Sequence, residues 1–211
     1  MIRKNISSIP ILIGVNIIFF IIQLLGEFGD VFTNNLMLVP GDFFARPWML
    51  LTSMFLHGSV IHLLFNMYVL FMFGTLLEGK LGRARFLFVY FLTGLAASLA
   101  YILFSSNPAL GASGAIMGVL GVITVLMPDL RVLFFFAIPM SLRTAAIIIV
   151  IMEVIGFMPG IAHVAHLGGF FAGILYGLTL KKEKKTYQKK FSNKKHLDEK
   201  DIEEFLRSGR I

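Results

Sequence analysis

Apolar residues in this chain fall in long blocks separated by short polar breaks. Six blocks have the length and hydropathy of membrane helices: residues 9–25, 58–77, 86–104, 113–127, 142–158 and 161–180. An apolar approach beginning at Trp48 precedes the second. The pattern predicts an all-α membrane protein, a bundle of six transmembrane helices with a short, central fourth helix. Residues 1–180 would form the bundle and residues 181–211 a basic tail. Segment 26–47 is long for a connection and mixes polar with apolar residues. It is expected to build its own structure at the outer interface, where Trp48 and the pair Phe43 and Phe44 would be at home. Segment 130–140 is apolar but too short to cross, and is expected at the cytoplasmic interface.

The fourth block is the anomaly. At 1.5 Å per residue it reaches about 22 Å, against a hydrocarbon core of about 30 Å. If Pro128 and Asp129 mark the cytoplasmic surface, the helix starts roughly 8 Å below the opposite one. The preceding "SSNPALGA" must then descend into the membrane, which irregular backbone tolerates only when buried in protein or lining a watery cavity. Ser113 is left at the floor of such a cavity.

Composition agrees with the pattern: 57% of residues are hydrophobic and only 15% charged. The net charge of +7 suggests nucleic acid until the basic residues are placed. Eighteen of the 19 Lys and Arg residues fall on the side of the termini, and only Arg46 falls on the other. That bias puts both termini in the cytoplasm. It sets the tail "KKEKKTYQKKFSNKK" against anionic lipid headgroups, with no nucleic-acid partner implied. Beyond it, "HLDEKDIEEFLRSGRI" suits a short amphipathic helix without assigned chemistry. The N-terminus lacks a small-x-small cleavage site after its apolar run, so it reads as a retained span. There is no cysteine, which excludes disulfides and thiolate chemistry.

Polar residues inside the blocks collect at one depth. His62 lies about five residues below the outer end of the second span, with Asn66 one turn deeper on the same face. His166 lies about five residues into the sixth, level with Ser113. Such groups are costly in lipid and face a bundle interior or cavity. Gly114, Gly118 and Gly121 on the fourth span, and Gly169, Gly173 and Gly177 on the sixth, form small-residue faces that would let these two helices pack closely. Helical rotation turns His57 away from His62, which suggests an interface or packing role. His57, His62, His163 and His166 invite a metal reading, but no carboxylate joins them at HExxH spacing, so no metal is expected. Glu153 in the fifth span has a depth similar to that of His166 and could orient His163 or His166. The expectation is that it is neutral or turned to water, as isolated membrane carboxyls usually are.

"GASG" around Ser113, "HLLFN" from His62 to Asn66 and "AHLGGFFAG" from Ala165 resemble the rhomboid family of intramembrane serine proteases, in motif order, spacing and six-span frame. The resemblance implies that Ser113 is the nucleophile and His166 its general base, a dyad without an aspartate. The oxyanion would be held by the Ser113 N–H and the side chains of His62 and Asn66. Gly111, Gly114 and Met117 would shape substrate access. Met117 stands where many rhomboids have an aromatic under the catalytic histidine. "ARPW" at Ala45–Trp48 stands where many have a Trp-Arg pair, so no role carries over to Arg46. The implied substrates are transmembrane proteins, cut within or near locally unstable helices before which a small side chain is preferred. No cofactor is implied and the oligomeric state is open. The absence of appended domains favours a prokaryotic plasma membrane. A non-catalytic rhomboid-like adaptor is the alternative, disfavoured because such relatives lose the serine or histidine. A transporter would want paired charges or an inverted repeat.

Overall fold

The computed structural model describes residues 7–135, 137–157 and 162–192, the last nine by backbone alone. Residues 158–161, Arg3, Lys4 and the expected amphipathic helix near the C-terminus lie outside these.

Helix α1 (Ile9–Gln23) starts with proline in its first turn, where a missing N–H removes no helical bond. Its orphan donors find Glu78 instead. Ser8 donates to Glu78 Oε1 from both its backbone N–H (2.8 Å) and its hydroxyl (2.7 Å), and the Ser7 hydroxyl bonds the other oxygen. Helix α2 (Gly26–Leu36), a 3-10 turn (Pro40–Asp42), α3 (Met49–Thr52) and a second 3-10 turn (Ser53–Phe55) follow. The long outer connection therefore has structure of its own. Arg46 pairs with Asp42 and donates to Asn34 O at 3.0 Å, while Trp48 Nε1 donates to Asn35 O at 3.0 Å. Both side chains close the last turn of α2, which gives Arg46 the role its sequence left open.

Helix α4 (Val60–Val69) is capped by Ser59, whose hydroxyl accepts from the His62 N–H. It continues through a π-helical turn (Leu70–Gly74) into α5 (Thr75–Leu81), so that Val60–Leu81 forms one rod. Helix α6 (Arg83–Phe104) returns. Helix α7 (Ser113–Leu126) is the short fourth span, with every residue from 114 to 123 buried. The segment 130–140 forms a hairpin: β1 (Arg131–Phe134) pairs antiparallel with β2 (Ile138–Ser141), and Leu133, Phe135 and Ile138 are exposed. Helix α8 (Leu142–Ile155) ends on a left-handed glycine, Gly156. Helix α9 (His163–Ser192) runs past the apolar block into the basic tail without a break.

Among the described residues, three helical rods, Val60–Leu81, Arg83–Phe104 and His163–Glu183, are long and apolar enough to cross a membrane, while Ile9–Gln23 and Ser113–Leu126 are apolar but shorter. Helix α7 sits at the centre, flanked by α6 and α9. The glycines explain its packing, though not in the expected arrangement. A Cβ on Gly169 would overlap the carbonyl oxygen of Gly114, and one on Gly173 that of Gly118. The sixth-span glycines therefore let α9 approach the α7 backbone. Among the α7 glycines, Gly121 points directly at α9, toward Phe170 and Ile174, while a Cβ on Gly114 would only touch it, 3.7 Å from the Ala165 carbonyl oxygen. Gly114 and Gly118 point at Ala97 and Thr93 of α6. Because α7 is buried on every side, its small residues serve both neighbours.

Candidate active site

The connection from α6 to α7 descends as non-helical chain, and protein groups satisfy its backbone. Ala109 exchanges a pair of hydrogen bonds with Leu38 (2.8 and 2.9 Å), and the Gly111 N–H donates to Ser53 O at 2.9 Å. Gly111 has φ +132°, a conformation that favours glycine, and a Cβ there would meet the His62 ring at 2.9 Å. Glycine thus reverses the chain and leaves space for His62 beside Ser113.

Ser113 opens α7. The first helical bond at this end runs from the Ile116 N–H to Ala112 O (3.0 Å), and no side chain caps the helix. The N–H groups of Ser113, Gly114 and Ala115 therefore precede the helical ladder at its electropositive end. Ser113 Oγ lies 2.6 Å from His166 Nε2, joining side chains 53 residues apart in sequence. The close contact of α7 and α9 sets this distance.

His62 and Asn66 lie one turn apart on α4. His62 Nδ1 accepts from the Gly58 N–H (3.4 Å), so a neutral ring carries its proton on Nε2, the nitrogen beside Gly111. Asn66 is buried and gives one amide proton to His62 O (3.0 Å), leaving the second. Met117 is buried in the core, one turn below Ser113. A cavity on the Ser113 side is lined mainly by small residues, among them Gly94, Ala97, Gly114, Ala115 and Ala165.

Two expectations need correction. His57 does not turn away from His62. It lies in the connection before α4 begins, so helical rotation does not apply, and its ring stands edge-on to His62 with centroids 5.0 Å apart. It is 1% exposed, and among the described residues neither ring nitrogen makes a well-aligned hydrogen bond. Burial, and then the neighbouring His62, push its pKa down to about 4 and keep it neutral. Glu153, in turn, does not face lipid or water as an isolated carboxyl. Its side chain is 13% exposed, with Oε1 2.9 Å from His166 Nδ1 and Oε2 2.5 Å from His163 Nδ1. The general expectation for membrane carboxyls fails here because the C-terminal half of α8 packs on α9 where both histidines begin that helix.

A sequence model of the Rhomboid domain matches residues 45–183. The chain belongs to the rhomboid family. This rhomboid is 34% identical over 154 residues to the rhomboid protease GluP of Bacillus subtilis, an alignment covering 69% of this chain and 28% of GluP. It is 34% identical over 144 residues to RHOMBOID-like protein 4 of Arabidopsis thaliana, covering 67% of this chain and 35% of that one. With the mitochondrial Rhomboid protein 1 of Saccharomyces cerevisiae it shares 33% over 162 residues, 72% of this chain and 47% of the relative. The rhomboid chain thus spans under half the length of these relatives, one of which is named a protease. Its fold is that of an all-α bundle of apolar helices, and it is an integral membrane protein.

Proposed function

We propose that this rhomboid is an intramembrane serine endopeptidase that cuts other proteins in or near their transmembrane segments, with Ser113 as nucleophile and His166 as general base. The observation that carries the reading is the 2.6 Å approach of Ser113 Oγ to His166 Nε2 at the uncapped start of α7. In the acylation step the Ser113 hydroxyl passes its proton to Nε2 while Oγ bonds the scissile carbonyl carbon. The resulting oxyanion would be met by the Ser113 N–H, the Nε2–H of His62 and the remaining amide proton of Asn66. Donors already aimed at developing charge in a low-dielectric site are effective because they need not reorganise. His166 then returns the proton to the leaving amine as the C–N bond breaks, and water releases the acyl group by the same route. Gly111 leaves room for the His62 ring beside Ser113, and the glycine and alanine lining of the cavity, Gly114 and Ala97 included, suits a small side chain before the cut. The bias of basic residues supports a membrane orientation with both termini in the cytoplasm.

The test uses the purified full chain in detergent and in liposomes with a generic transmembrane substrate. Wild type should cleave it, while Ser113→Ala and His166→Ala should fall at least about 10³-fold. Cleavage persisting in Ser113→Ala would remove the nucleophile assignment and leave the non-catalytic adaptor as the better reading.

A further inference from the structure

The resemblance implies a two-residue dyad, yet the geometry around His166 has a third member. If Nε2 is to accept the Ser113 proton, the neutral imidazole must carry its own proton on Nδ1, and a buried Nδ1–H needs an acceptor. Glu153 Oε1 stands 2.9 Å from that nitrogen. Its other oxygen accepts from Nδ1 of His163, which lies nearly one turn before His166 on α9. The carboxylate is thus held at both oxygens, with its plane set by two rings on one helix. A carboxyl this buried is tolerated as an ion in a membrane protein only when paired, and both partners here are histidines.

Resting on the protease reading above, we propose that Glu153 is a positioning residue that completes a Ser113–His166–Glu153 triad, with His163 anchoring the carboxylate. Glu153 fixes the tautomer and rotation of His166 so that the Nε2 lone pair points at Ser113. It also stabilises the imidazolium formed when the proton moves from Oγ to Nε2, while itself remaining ionised. No proton passes to the carboxylate. The contact also fastens the outer half of α8, where Ile151, Val154 and Ile155 are exposed, to the catalytic helix. The residue that orients the base is therefore carried by a different helix from the base itself.

The experiment compares Glu153→Gln, Glu153→Asp and His163→Ala with wild type in the full-length protein. It follows kcat and KM on a transmembrane substrate, the rate at which a fluorophosphonate labels Ser113, and thermal unfolding. Glu153→Gln keeps the size and one acceptor oxygen but removes the charge. It is expected to lower kcat and the labelling rate together by about 10- to 100-fold, below the loss seen when a triad carboxylate replacement also traps the wrong tautomer. KM and Tm should stay near wild type. Glu153→Asp should retain more activity than Glu153→Gln, and His163→Ala should fall less than either. Glu153→Gln within about three-fold of wild type in both kcat and labelling would overturn the proposal, since positioned acid–base partners contribute far more. Equal losses in all three variants, tracking a lowered Tm, would also overturn it and make Glu153 a helix clamp. Labelling or cleavage retained by Ser113→Ala would instead strike at the nucleophile assignment, a distinct failure.

Discussion

Gly173 lies seven residues beyond His166 on α9, about 10 Å down the helix from the chemistry. It touches neither residue of the proposed dyad, yet its replacement by alanine should sharply lower the proposed protease activity. A Cβ at Gly173 would overlap the carbonyl oxygen of Gly118, with the Gly118 carbonyl carbon at 2.8 Å and Cα at 3.0 Å. Carbon atoms pack best at about 3.5–4.0 Å, so the two backbones must part by about 1 Å. The obstacle is main chain in the middle of a helix, which cannot rotate aside as a side chain can. If α9 moves as a rod, the Ser113 Oγ to His166 Nε2 distance rises from 2.6 Å to roughly 3.6 Å, beyond hydrogen-bond range. A displacement of about 1 Å at a catalytic pair can lower activity about 100-fold, and overpacking at such a site destabilises by about 1–3 kcal/mol. The assay is kcat/KM on a transmembrane substrate alongside thermal unfolding. Gly177→Ala serves as the internal control. There the added carbon meets Val125 Cβ at 3.0 Å and Cγ2 at 3.2 Å, so a shift of a few tenths of an ångström suffices and activity should stay within about five-fold of wild type. Gly173→Ala within about three-fold of wild type, with unchanged unfolding, would refute the argument that this helix contact sets the Ser113–His166 distance.

Two further predictions concern stability. Glu78→Ala leaves the buried N–H and hydroxyl of Ser8 without their acceptor; a loss of about 1–3 kcal/mol is expected, seen as a lower Tm with cleavage retained at low temperature. Gly14, within α1, has open space where a Cβ would stand. Gly14→Ala should therefore raise stability by about 0.5–1 kcal/mol, and an unchanged or lowered Tm would count against it.

How far the sequence reached is clearest at particular residues. The start of α7 at Ser113 was legible, because an apolar block too short to cross a bilayer implies a descending connection. The glycine faces were legible as close packing but not in direction. Spacing alone does not show that Gly118 would face α6, that Gly121 would face α9, and that Gly114 would press chiefly on Ala97 of α6. Nothing in the sequence singles out Glu78, because a carboxylate at a helix end looks like an ordinary interfacial charge. Its partners, Ser7 and Ser8, are about 70 residues away. The hairpin of residues 131–141 is not legible in the sequence, because four-residue strands leave too short an alternating pattern.

The sequence by itself determined the membrane class, the places of the helices and the residue types that can do acyl-transfer chemistry. Hydropathy and charge bias act locally along the chain, so they can be read from it. Only the tertiary structure decided which polar groups meet. Glu153 shows the difference. In sequence it is one carboxyl in an apolar block, for which neutrality or exposure is the general expectation. In the fold, α8 places both of its oxygens on His163 and His166. Whether a buried charge is tolerated depends on what lies within about 3 Å of it, and helix packing sets that distance.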